Sequence, residues 1–418
     1  MKFSAQTDRT AVLANRGGQR FVVAQIIAPT ASKGVQRPNV DIAFVLDRSG
    51  SMAGQKFELA RKAIEQAIDH LSPNDSFAVV IYDDQIDIVQ RATRATREAK
   101  RSAISKLRDV SPRGTTNLGE GWLVGCGQVA EHLSDDRIGR CLLLTDGLAN
   151  VGITDAGTLA HHARELRSRG VSSSTFGVGA DFDEVLLGQM ADAGGGAFTF
   201  IERPEQIPAL IANELGDTLE IVARDVFVDI RVDAEMKVRP IGPYPWEETP
   251  DGVRISLPDL VSAHELELPL EVAVPAGPTG QPIALTLSIG DRNGVFDVST
   301  VTLAWTRTDN PHHLDQVETA VQELVAERIA AVAREEAAAL NRDGQYHAAA
   351  KRIGEAQYRL DNQFEPTKAI RAIVSELSRD AKRLSTDMDA FARKQIHFSA
   401  TSVARGGTTS GVLRKRSS

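Results

Sequence analysis

Hydrophobic positions along the chain follow different periodicities in successive stretches. Between residues 40 and 222, short uninterrupted apolar runs alternate with stretches of helical spacing. The run Ile42, Ala43, Phe44, Val45, Leu46 has no polar interruption, 141–144 is another fully apolar run, and residues 77–82, 172–178 and 197–201 read as further short strands. Runs of this kind mark parallel strands covered on both faces by helices. Between them Phe57, Ala60, Ile64, Ala67, Ile68 and Leu71 keep helical spacing, as do Trp122, Cys126, Val129 and Leu133. Further helices are predicted over 96–107, 159–167, 184–191 and 207–219, and a short alternating edge strand over 86–90. Alternating strand and helix predicts an open, doubly wound (Rossmann-like) α/β sheet.

After residue 222 the period changes to two. Residues 225–233, 236–239, 253–256, 265–274, 283–289 and 296–305 read as short alternating strands separated by Pro- and Gly-containing turns, the signature of an antiparallel β-sandwich. Residues 9–14 and 20–30 read as two more strands around the turn Asn15-Arg16-Gly17-Gly18. They are too few to bury a core alone, so they are expected to join that sandwich, with the α/β domain inserted between. Winding then puts the sandwich at the end of the α/β sheet opposite the strand carboxyl ends.

From 311 to about 393 helical spacing returns. Leu314, Val317, Val321 and Leu324 form one stripe, Asp343-Gly344 interrupts it, Tyr346, Ala350, Ile353 and Leu360 form a second, and Ile370, Val374 and Leu377 a third. A helical hairpin or small bundle is expected, followed by a flexible basic tail with Arg405, Arg414, Lys415 and Arg416. The resulting division is 1–38 N-terminal strands, 39–222 α/β domain, 223–308 sandwich, 309–395 helical region and 396–418 tail.

Composition narrows this picture only in part. The formal charge of -8, from 56 acidic against 48 basic residues, argues against nucleic acid as main partner. No apolar run approaches the roughly eighteen residues of a membrane span, and residues 1–10 carry no apolar leader core, so a cytoplasmic location is the expectation. Cys126 and Cys141 each sit in an apolar pattern and read as buried thiols.

Candidate chemistry is concentrated where strands end. After Leu46, Asp47, Ser49 and Ser51 alternate with Arg48 and Gly50, so a turn permitted by Gly50 brings hard oxygen side chains together. The run 141–144 ends in Thr145-Asp146-Gly147, a second aspartate at a strand end, and the loop 111–122 offers Thr115 and Thr116 ahead of a helix. In a doubly wound sheet these loops converge outside the strand carboxyl ends. Carboxylates and hydroxyls without His or Cys at matching spacing select a hard cation such as Mg²⁺, or Mn²⁺ or Ca²⁺. The acidic cluster Asp83, Asp84, Asp87 supplies too few oxygens for a second site and reads as a solvated hairpin.

The pieces DRSGSM at 47–52, GTTNLGEG at 114–121 and LLTDG at 143–147 closely resemble the von Willebrand factor A domain and its metal-ion-dependent adhesion site. The resemblance covers roughly residues 40–222. It implies Asp47, Ser49, Ser51, Thr116 and Asp146 as metal ligands, with the hydroxyls binding directly and one or both aspartates through water. The sandwich arrangement resembles that around A domains in inter-alpha-trypsin inhibitor heavy chains and related bacterial proteins. For intracellular bacterial members the resemblance implies work with MoxR-type AAA+ ATPases or stress and defence systems.

Three functional classes compete. The leading one is a non-enzymatic, cation-dependent protein-binding module in which a partner Asp or Glu completes the coordination. An enzyme, a metal-assisted hydrolase or phosphatase with Asp47 as nucleophile, is disfavoured because Ser49 stands where a second carboxylate is wanted and no His, Cys or Lys accompanies the site as base. The third is a scaffold that binds through its helical region, with the metal structural.

Overall fold

The computed structural model describes residues 2–30, 37–134, 136–233, 235–292, 294 and 299–406. The chain divides into two compact units, Ala31–Ile221 and a sequence-discontinuous one made of Met1–Thr30 with Val222–Ser418. The α/β domain is thus inserted in the chain that forms the sandwich.

The chain begins with β1 (Lys2–Thr7), β2 (Ala11–Leu13) and β3 (Gly18–Ile27). The inserted unit follows with β4 (Asn39–Asp47), α1 (Gln55–His70), β5 (Ser76–Tyr82), β6 (Ile86–Arg94), α2 (Arg97–Arg108) and α3 (Leu118–Ala130). It continues with β7 (Arg137–Thr145), α4 (Ala156–Ser168), β8 (Val171–Val178), α5 (Glu184–Gly194), β9 (Gly195–Ile201) and α6 (Ile207–Leu219). Its sheet has the order β6-β5-β4-β7-β8-β9. All neighbours are parallel except β5 and β6. The order reverses at β4, so the crevice at the carboxyl ends of β4 and β7 is the topological switch point where ligands of such folds bind. Strands β4 and β7 are buried almost throughout, which explains their unbroken apolar runs.

The discontinuous unit resumes with β10 (Ile221–Ala223), β11 (Phe227–Val232), β12 (Lys237–Pro240), β13 (Trp246–Thr249) and β14 (Gly252–Ser256). Then come β15 (Leu260–Val261), β16 (Glu265–Val274), β17 (Pro282–Gly290) and β18 (Ser299–Thr308). One sheet is ordered β1-β3-β16-β12 and the other β13-β14-β11-β17-β18-β2. Ala24, Ile26 and Leu268 of the first share a core with Val228, Ile230 and Leu285 of the second. Helices α7 (Thr319–Arg342), α8 (Tyr346–Gln363), α9 (Lys368–Leu384) and α10 (Ala390–Ala404) complete the unit. Among the described residues no helix is long and apolar enough to cross a membrane.

Several expectations change. The two N-terminal strands do not form a hairpin: β3 pairs with β1 and β16, whereas β2 runs parallel to β18 in the other sheet. The strand β1 was not expected, because its short polar alternation KFSAQT leaves every residue at least partly exposed. The helices do not stand apart from the strands. Phe21 stacks on Phe364 at 4.8 Å, and Phe21 and Val23 of β3 belong to the same core as Val325, Ile329 and Ile353. Residues 396–404, expected as tail, belong to α10, whose Val403 and Ala404 pack on Ala331. The remainder of the expected tail, 407–418, lies outside the described residues, as do 296–298 of the last expected strand.

Candidate metal centre

Asp47 is the last residue of β4 and is fully buried. Its Oδ1 accepts the Ser49 amide at 2.8 Å and its Oδ2 accepts the Thr145 hydroxyl at 2.6 Å. No arginine or lysine among the described residues pairs with it. Burial therefore drives its carboxyl up to about 6, the Thr145 and Ser49 hydrogen bonds only partly offsetting it, and the nearby Asp146 carboxylate adds to the rise.

Asp146 follows the end of β7 and is also fully buried. The Ser51 hydroxyl donates to its Oδ1 at 2.7 Å, and the Ser49 and Ser51 hydroxyls lie 3.1 Å apart. Thr116 is buried just ahead of α3, whereas Thr115 is exposed. Gly147 shows how the three loops converge. A methyl group there would stand 3.3 Å from Thr116 Oγ1, 3.7 Å from Ser51 Oγ and 4.0 Å from Asp47 Oδ2. The five residues singled out from sequence are thereby brought to one small polar cradle, open to solvent on the side of the exposed Ser51.

The loops are tied to one another by backbone and charge. Arg113 N donates to Arg48 O at 2.7 Å, Gly50 N to Gly114 O at 3.2 Å and Asn117 N to Asp83 O at 2.8 Å. Gly114 has φ +72°, and a Cβ there would stand 2.2 Å from Asp84 Oδ1, so only glycine fits this close approach. The buried Arg48, lying between two candidate ligands, ion-pairs with Asp83 at 3.0 Å and Asp87 at 2.5 Å, and Arg113 reaches the same Asp83 oxygen at 2.8 Å. The expected solvated hairpin is thus corrected at Asp83, which is fully buried. Burial alone would raise its carboxyl, but the Gln85 amide, Arg113 and Arg48 together hold it below the usual range.

One residue overturns a sequence argument. Lys56, in the first turn of α1, places its Nζ on Asp146 Oδ2, so a lysine does accompany the site. It was missed because its role depends on the helix turning back over the loop it follows; its position five residues after Ser51 was the available signal. Thr145 and Tyr82 were missed for a similar reason, both reading as plain strand residues. Burial first, then the Asp47 carboxylate, keeps the Tyr82 phenol well above its ordinary range and so neutral beneath the site.

The donor set suits a hard cation. Among the described residues no three His, Cys, Asp or Glu side chains gather to hold a metal. Here two buried carboxylates are joined by hydroxyls, and a lysine ammonium already stands on one of them as a cation would.

The family model for the von Willebrand factor type A domain matches residues 41–213. Residues 41–213 are a von Willebrand factor type A domain. The uncharacterized protein YfbK of Escherichia coli is 28% identical over 214 residues, 51% of this chain and 37% of that protein. Human inter-alpha-trypsin inhibitor heavy chain H4 is 28% identical over 172 residues, 40% of this chain and 18% of that protein. The matches thus span well under half the length of these relatives. Among solved structures, a von Willebrand factor type A protein from Catenulispora acidiphila superposes with TM-score 0.66 at 19% identity, covering 93% of this chain and 97% of that one. The ArnB paralog VWA2 from Sulfolobus acidocaldarius gives 0.60 at 14% identity, covering 96% and 98%. The shared fold therefore extends over the strands and helices outside the A domain.

Proposed function

We propose that the A domain is a non-enzymatic, divalent-cation-dependent protein-binding module that captures a carboxylate of a partner protein. The observation that carries this reading is the pair of fully buried aspartates, Asp47 and Asp146, placed with three hydroxyls and without a guanidinium at the switch point of the sheet. Asp47, Ser49, Ser51, Thr116 and Asp146 would hold the ion, Mg²⁺ being the expected one. When bound, such an ion supplies a coordination position that an Asp or Glu of another protein fills.

This chain's own residues do the rest. The Ser49 amide and Thr145 hydroxyl orient the Asp47 carboxylate, and the Arg48–Asp83–Arg113 network holds the serine loop against the Thr116 loop. Leu148, 53% exposed and two residues beyond Asp146, gives an arriving partner an apolar contact at the rim. The hydrolase reading gains nothing from Lys56, because its ammonium is ion-paired with Asp146 rather than available as a base.

Titration with Mn²⁺ or Mg²⁺ by calorimetry tests the metal: binding by the natural protein and its loss in Asp146→Ala, with unchanged circular dichroism, is expected. Capture of partner proteins with Mg²⁺ present, abolished by EDTA and by Asp146→Ala, tests the function. Capture that survives both treatments would overturn it.

A further inference from the structure

Both oxygens of Asp146 are already taken by donors of the chain itself, Ser51 Oγ on Oδ1 and Lys56 Nζ on Oδ2. Asp47 differs, being held by Ser49 and Thr145 and by no lysine or arginine among the described residues. The Lys56 side chain is 26% exposed, so its stem enters the site from the surface, and its Nζ also lies 3.5 Å from Ser51 O, the backbone of a candidate ligand. The helix that carries it is fixed by Phe57, Ala60, Ala63 and Ile64 on its buried face. Only the flexible four-carbon stem has to move for the ammonium to leave.

We propose that Lys56 is a built-in competitor of the divalent cation: its ammonium neutralises Asp146 in the metal-free protein and swings out when the ion enters. The proposal rests on the metal reading above and adds a regulatory element to it. An ammonium and a divalent cation on one buried carboxylate repel each other strongly in a poorly solvated site. The two are therefore alternatives, and the share of molecules with Lys56 on Asp146 lowers the apparent affinity for the ion. The metal-free site is kept from collapsing or recruiting a stray cation, and it loads only when the ion concentration overcomes the tether.

The test uses the full chain and Mn²⁺ as the probe, with calorimetry or electron paramagnetic resonance as the readout. Lys56→Gln is expected to bind Mn²⁺ about tenfold more tightly than the natural protein. Lys62→Gln, which removes an exposed charge from the same helix, is expected to leave the affinity unchanged. Equal or weaker binding by Lys56→Gln beside normal binding by the natural protein overturns the proposal alone. Absence of Mn²⁺ binding in both folded proteins overturns the metal reading and the proposal with it. A second measurement follows displacement directly: acetylation of Lys56 by a water-soluble amine reagent, read by mass spectrometry, should rise on adding Mn²⁺ while that of Lys62 does not. Lys56 that stays equally protected in the loaded protein overturns the proposal.

Discussion

The two ends of the A-domain sheet both carry buried aspartates, and Asp41 and Asp75 at one end are finished in the opposite way from Asp47 and Asp146 at the other. At the amino end Asp41 of β4 receives Arg137 through two bonds of 2.7 Å, and Asp75 receives Arg37 through bonds of 2.9 and 2.6 Å. At the carboxyl end of the same strand, Asp47 has an amide and a hydroxyl, and Asp146 a hydroxyl and the tip of a lysine. Burial does not separate them, since Asp41 is 3% exposed and Asp47 0%. The difference lies in the cation. A planar guanidinium fork satisfies a carboxylate permanently, whereas hydroxyls and a flexible ammonium leave room for an ion to replace them. On the function proposed above, one end is completed for stability and the other held ready for a ligand.

The comparison breaks most visibly if the two ends respond alike to mutation. Arg137→Leu leaves the buried Asp41 unpaired and is expected to destabilise the domain by about 3–5 kcal/mol in urea denaturation. Asp146→Asn in EDTA should cost less than about 1 kcal/mol, because the amide can still accept from Ser51 and the released Lys56 ammonium, whose side chain is 26% exposed, can turn to solvent. Equal losses at both ends would remove the distinction. Next in size is the response to the ion itself. With free Mg²⁺ at a hundred times its dissociation constant the natural domain should gain about 2.7 kcal/mol, seen as a raised melting temperature, and Asp146→Asn should gain nothing.

The amino end should instead respond to acid. Burial pushes the Asp75 carboxyl up, but Arg37 and the Val40 and Ser72 amides overcome it and hold the folded value below the ordinary one. A depressed folded pKa means that the ionised group stabilises the fold fully above the unfolded value of about 3.9, and that this contribution is lost as pH falls through the lowered folded value. Asp75→Asn is thus expected to cost roughly 2 kcal/mol at pH 7 and progressively less below about pH 4, measured by denaturation at each pH. A mutant that keeps the same deficit at pH 3 would show that packing rather than charge is involved.

How much of this was legible in sequence follows from how local each feature is. Asp47, Ser49 and Ser51 lie on one turn, and the Thr115–Thr116 loop and Asp146 each adjoin a helix or strand, so strand–helix alternation brings the loops to one end of the sheet, while the choice of Thr116 came from the family resemblance. Lys56 on Asp146 and Arg48 on Asp83 depend on where helix α1 and the β5–β6 turn return in space, and no periodicity records that. The same limit explains the strands. The turn at Asn15–Gly18 is real, with Gly17 at φ +65°, yet its flanking strands enter different sheets, because a turn does not name the partners of the strands beside it. Helical stripes on α7 and α8 announced a buried face without telling that Phe21 and Val23 of β3 would lie in the same core.

The smallest expected effect sharpens the comparison within the carboxyl end itself. Asp83 is as buried as Asp47, but Arg48 and Arg113 complete it as the arginines complete the amino end. It should therefore hold the site in shape and not bind the ion. Asp83→Asn keeps the side-chain shape and removes the charge that draws the serine loop and the Thr116 loop together. An outer-shell change of this kind is expected to weaken Mn²⁺ binding about tenfold, or ~1.4 kcal/mol, without abolishing it. Calorimetry on Asp83→Asn beside Asp47→Asn separates the roles. Complete loss in both would make Asp83 a ligand-like residue and erase the division between carboxylates closed by arginine and those left open.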